Sequence, residues 1–85
     1  MYSIQILPPA GKDLDGFEGK LFTALKEKIQ ELKINPRPSG VEKLTAEEGY
    51  RTRVRDIRIL YRVDDKTKTV FIYRVRHRRE VYRKR

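Results

Sequence analysis

The side chains best equipped for chemistry are cationic and lie in the second half of the chain. From Tyr50 to Val63 the sequence reads Y-R-T-R-V-R-D-I-R-I-L-Y-R-V. Strand periodicity sets Tyr50, Thr52 and Val54 on one face and Arg51, Arg53 and Arg55 on the other. Arg58 follows a tight turn at Arg55-Asp56, and His77, Arg78 and Tyr82 stand at or beyond the end of the last strand. Concentrating like charge on one face brings a small protein no stability, so the row is suited to holding a polyanion. Arginine grips phosphate through a planar, bidentate fork that lysine cannot copy.

The remaining residue types narrow the chemistry. The chain has one histidine, no cysteine, no carboxylate cluster at ligand spacing, no Gly-rich phosphate loop and no serine nucleophile elbow. Catalysis then falls to Arg, Lys, Tyr, His77 or an acidic side chain, without a bound cofactor. Those groups suit RNA cleavage through the substrate's own 2′-hydroxyl. There the protein positions a phosphate, stabilises charge on a pentacoordinate transition state and moves protons. Arg51, Arg53, Arg58 and Arg78 fit the stabilising role, and a guanidinium is too weak an acid to serve as base. His77 has a suitable intrinsic pKa, Tyr82 can exchange a proton in a cationic surround, and Glu80 is a weaker candidate. The plainer alternatives are phosphate binding without catalysis for the arginines, and base stacking or anchoring of the tail for Tyr82.

These residues require a sheet and something to pack on it. Tyr2 to Leu7 reads as a strand ended by Pro8-Pro9, and Ala10 to Asp15 as a helical turn broken by Gly16. Phe17, Leu21, Leu25, Ile29 and Leu32 share one face of a helix that stops before Asn35-Pro36. Arg37 to Gly49 reads as loop. Tyr50–Arg55, Ile57–Asp64 and Thr69–Arg76 follow as strands with connections short enough for an antiparallel meander. Phe71, Tyr73 and Val75, or their opposite neighbours, form the apolar face of the last strand; Tyr50 and Tyr61 read as core. The tail from Arg78 reads as a terminal helical turn or a loose basic end. The expected architecture is α+β, one domain over residues 1–85.

The chain carries 21 Lys and Arg against 12 Asp and Glu, a net charge of +9. The distribution decides more than the total: residues 1–49 sum to −1 and residues 50–85 to +10, with eleven of the latter's fourteen cations being Arg. That asymmetry is the electrostatic footprint of a nucleic-acid binder. Absence of cysteine fits a reducing compartment. The N-terminus is too short and polar for a signal peptide, and no segment is long enough to span a bilayer. The expectation is a soluble, cytoplasmic protein.

The ordered pattern Leu32…Asn35-Pro36, Lys43-Leu44, Tyr50-Arg51-x-Arg53-Val54-x-Asp56-x-Arg58-Ile59-x-Tyr61, then Val75-x-His77-Arg78-x-x-Val81-Tyr82, resembles the RelE/ParE toxin superfamily. Its ending favours the RelE side. The resemblance implies an N-terminal strand, a helical hairpin and a twisted antiparallel sheet that the first strand joins. It implies a metal-independent mRNA endonuclease acting with the ribosome, and an antitoxin that masks the basic groove. By position, Arg51 and Arg53 match basic strand positions, Arg58 and Arg78 match phosphate-stabilising arginines, and Tyr82 matches a tyrosine implicated in stacking or proton transfer. His77 matches a position that some branches fill with histidine. Family members often carry glycine at Arg55 and an aromatic at Ile57. The rival expectations are a ParE-like inhibitor of DNA gyrase, whose branch tends to lack the ribonuclease set, and an inactive basic adaptor.

Overall fold

The computed structural model describes residues 1–44 and 49–77. Seven elements follow in order: β1 (Ser3–Ile6), α1 (Pro8–Asp15), α2 (Gly19–Ile34), β2 (Glu42–Lys43), β3 (Tyr50–Val54), β4 (Ile57–Asp64) and β5 (Thr69–His77). They build the expected α+β architecture, a five-stranded sheet in the order β1-β5-β4-β3-β2. The sheet is mixed, because β1 pairs with β5 in parallel while β2 to β5 run antiparallel. No described helix is long and apolar enough to cross a membrane.

Pro8 and Pro9 do more than end β1. They occupy the first turn of α1, where the N–H that proline lacks would have no intrahelical partner and its fixed φ suits the helix. The helix thus starts two residues before the expected Ala10. On α2, Leu25, Ile29 and Leu32 are buried, while Phe17 precedes the helix and packs at the margin of the core. The helix ends at Ile34, and Asn35 then turns to extended backbone ahead of Pro36, donating its N–H to the Glu31 carbonyl. The region expected as loop contains β2, too short to show any alternation and recognisable only by its pairing with Arg51 and Tyr50.

One sheet face carries the core. Ile57, Ile59 and Tyr61 of β4 and Val70, Ile72 and Val75 of β5 are buried with Ala10, Leu14, Leu25, Ile29 and Leu32. The buried Tyr61 hydroxyl donates 2.7 Å to the Pro36 carbonyl, and burial raises its pKa well above the ordinary phenol value. On β5 the buried set changes parity, since Leu60 pairs with Arg74 but Tyr61 pairs with Ile72. Tyr73 is the extra residue of a β-bulge, and beyond it the inward phase shifts by one. Each of the two expected phases is therefore right for half of the strand.

The β3–β4 hairpin turns through Arg55 and Asp56, with Val54 opposite Ile57. Arg55 has φ +56°, a left-handed conformation that costs a side-chain-bearing residue roughly 1–2 kcal/mol. Glycine avoids that cost but loses more chain entropy on folding. Arg55→Gly is expected to stabilise the fold by up to about 1 kcal/mol, read as a higher midpoint in urea with an unchanged slope. A lower midpoint would show that the arginine side chain makes a compensating contact at the turn.

Candidate nucleic-acid interface

The face of the sheet away from the helices is built by cross-strand register. Arg53 pairs with Arg58, and Arg58 pairs with Arg76, so three guanidinium side chains from β3, β4 and β5 form one row. Directly opposed residues share a face, with Cβ atoms about 5 Å apart. The next row is Glu42, Arg51, Leu60 and Arg74. Arg58 is only 5% exposed, held down in the middle of the sheet, whereas Arg53 and Arg55 are open to solvent. A cation at such depth is costly unless anionic charge is close.

Two carboxylates flank the rows, of which Glu42 is coupled to Arg58 and Asp13 serves Arg74, and neither was singled out by sequence reasoning. Glu42 of β2 accepts from Arg51 through Nε at 2.9 Å and also from Nη2. The Arg51 hydrogen bond holds the Glu42 carboxyl below its usual range, helped by the charges of Arg51, Arg58 and Arg53. Glu42 is therefore an acceptor set into the arginine rows. At the far side, Asp13 of α1 takes Arg74 Nε at 2.8 Å and Nη2 at 3.1 Å, and the Val75 N–H at 2.9 Å. The signal for Glu42 lay in its place one strand-pair from Arg51, which no period within a two-residue strand could reveal.

The expected site residues are distributed unequally. Arg51, Arg53 and Arg58 share the basic face, and Arg55 stands at the hairpin tip beside it. Arg76, not singled out from the sequence, completes the first row. His77 pairs with the buried Ile57, so alternation turns it toward the helix side, where its ring lies 5.7 Å from that of Phe17. It is thus separated from the guanidinium rows by the sheet itself. Arg78 and Tyr82, with Glu80 and the rest of the tail, lie outside the described residues.

At the opposite end of the sheet a second polar cluster fixes the chain after α2. Arg37 donates to Asp65 at 2.9 Å and to the Tyr50 hydroxyl at 2.9 Å, with its guanidinium carbon 5.3 Å from the Tyr50 ring centre. The Tyr2 hydroxyl donates to Asp65 at 2.6 Å. Hydrogen bonds from Arg37, then from Tyr2, hold the Asp65 carboxyl below its ordinary value. This cluster ties β1, β3 and the β4–β5 turn together and leaves the basic face to other residues.

The family model of the ParE toxin of the type II toxin–antitoxin system parDE matches residues 4–82. No curated protein matches the chain significantly. Among solved structures, the fold is similar to a chain of the toxin–antitoxin complex RelBE2 from Mycobacterium tuberculosis, with TM-score 0.79 and 29% identity over 89% of this chain and 96% of that one. A chain of the intact RelBE toxin–antitoxin complex of E. coli gives TM-score 0.79 at 25% identity, over 91% of this chain and 96% of the other. An archaeal RelE–RelB complex from Pyrococcus horikoshii gives TM-score 0.77 at 24% identity, over 91% and 94%, a likeness of fold.

The Glu42–Arg51 pair has a measurable consequence. Glu42→Gln removes the carboxylate that would share Arg51 with a bound strand, so a single-stranded polyanion meets the full charge of that guanidinium. Binding to a fluorescent single-stranded oligonucleotide should tighten, and its log–log salt slope should steepen by roughly 0.7, the increment for one neutralised phosphate. An unchanged slope would show that Arg51 does not reach the bound strand.

Proposed function

Given that the chain belongs to the ParE toxin family of type II toxin–antitoxin systems, we propose that it is a metal-independent endoribonuclease that cuts mRNA on the ribosome. The observation that carries this reading is the cross-strand row Arg53–Arg58–Arg76 with Glu42 beside it. RNA lies across the sheet, with Arg51 and Arg53 on backbone phosphates. Arg58, fixed in the middle strand, faces the scissile phosphate together with Arg78 from the tail. The 2′-hydroxyl attacks the adjacent phosphorus, its proton leaves to an acceptor, and the 5′-oxygen departs with a proton. The products are a 2′,3′-cyclic phosphate and a 5′-hydroxyl. Preorganised guanidiniums in a partly dry site stabilise the added negative charge without reorganisation.

Glu42 is the candidate proton acceptor, in preference to His77, which lies across the sheet. Its depressed pKa makes it a weak base, compensated by its being ionised at neutral pH and near the charges that hold the phosphate. Tyr82 stacks on a base or gives its own hydroxyl proton to the departing 5′-oxygen, to be reprotonated from solvent. The cellular partner is an acidic, amphipathic antitoxin segment that folds on contact and neutralises the basic face; the similar structures are themselves toxin–antitoxin complexes.

A second reading is inhibition of DNA gyrase, and the ParE description of the matching family favours it. The two separate in parallel assays of gyrase supercoiling and of mRNA cleavage on ribosomes. The nuclease reading expects Arg58→Ala and Arg78→Ala each to lose at least about 100-fold in cleavage rate, the scale of removing one transition-state donor, with EDTA without effect. Full cleavage by both variants, a magnesium requirement, or supercoiling inhibition without RNA products would overturn it.

A further inference from the structure

Beyond the arginine rows, the basic face borders at Arg62 and Phe71 a cleft that is also lined by Lys43, Gly49, Lys66 and the carboxylates of Asp64 and Asp65. Arg62 follows Arg58 and Leu60 on β4 at two-residue steps, and Phe71 is its directly paired neighbour on β5, so both emerge on the basic face. The guanidinium of Arg62 lies 5.7 Å from the Phe71 ring centre. This makes a cation-capped aromatic plate of the kind on which nucleobases stack. Arg62 is exposed and Phe71 is half-buried, so the plate is held from below and open above.

The backbone at Gly49 shapes this cleft, and its charges point to an anionic ligand. Gly49 has φ +138°, and a Cβ there would stand 2.9 Å from the Tyr61 carbonyl oxygen, 3.2 Å from the Tyr73 hydroxyl and 3.4 Å from Arg62 Cγ. A side chain there would run into the β4 backbone, so glycine is what lets the chain pass this close to Tyr61. The carboxylates of the cleft are engaged: Asp65 holds Arg37 and Tyr2, and Asp64 accepts from the backbone N–H groups of Lys66 and Thr67. Lys43, Arg62 and Lys66 have no ion-pair partner among the described residues. From Arg58 to Arg62 the strand advances about 13 Å at roughly 3.3 Å per residue, a span of nucleotide scale.

We infer that this cleft is a second RNA subsite, in which a nucleotide flanking the cleaved linkage stacks its base on the Arg62–Phe71 plate and sets its phosphate near Lys43 and Lys66. The inference rests on the ribonuclease reading for the identity of the ligand, and deepens it by assigning residues outside the arginine rows. Its role is to fix which stretch of the strand is presented to Arg58, and so to add affinity with substrate length.

The test uses the full chain and single-stranded RNA oligomers carrying a 2′-O-methyl group at each position, which lack the attacking hydroxyl and cannot be cut. In the wild type, lengthening the oligomer past the span of the arginine rows should tighten binding roughly fivefold or more, the scale of one stacked base. Phe71→Leu, which keeps apolar volume but removes the ring face, and Arg62→Gln should each abolish most of that gain. Binding of the shortest oligomer should stay within about twofold. Lys66→Gln should reduce the salt slope for the long oligomer by about 0.7 and leave that of the short one unchanged. A length gain that survives in both plate variants, or no gain in the wild type, overturns the subsite. Cleavage of all-ribose RNA on ribosomes is read separately: loss of length-dependent binding with cleavage intact rejects the subsite alone, and length-dependent binding without cleavage retains the subsite and rejects the nuclease.

Discussion

Strand register is the constraint on which the rest of this structure depends. Side chains alternate along a strand with period two, so a slip of one residue between β3 and β4 would send Arg58 into the core and Ile59 to solvent. The pairing of Arg53 with Arg58, and of Arg58 with Arg76, is what turns scattered arginines into a row. That register is pinned from below by Ile57, Ile59 and Tyr61, all at 0–1% exposure. Burial of three large apolar side chains outweighs the repulsion among the guanidiniums above them. The core therefore chooses the geometry and the charges accept it.

The repulsion is then divided among carboxylates placed at the margins. Glu42 stands at the β2 side, Asp13 at the α1 side, and Asp65 serves the separate cluster around Arg37. None of them lies in the Arg53–Arg58–Arg76 row. Such an arrangement tempers the field at both flanks and keeps the centre positive.

Much of this was legible in the sequence because it follows from short periods. The alternation from Tyr50 to Val63 yielded β3 and β4 with β4's bounds correct, and the apolar spacing along α2 yielded its buried stripe. What stayed hidden depended on partners distant in the chain. β2 has two residues and exists through its pairing, so Glu42 could not be seen as a neighbour of Arg51. The bulge at Tyr73 reverses the inward phase of β5, which explains why neither simple alternation from Phe71 to Val75 describes it. His77 has the right chemistry for proton transfer, but its pairing with Ile57 turns it toward Phe17. Side-chain type was readable; which side of the sheet it occupied was set by register counted from elsewhere.

Asp13 has a consequence for assembly. Because β1 pairs only with Thr69 to Ile72, the rest of β5 has no described strand on its β1 side. Asp13 accepts the Val75 N–H there and holds Arg74 across the gap. One helical carboxylate thus satisfies a backbone donor that a longer β1 would have taken. Among the described residues, α1 rather than a strand lines this border, and strand addition there would first have to displace the Asp13 carboxylate.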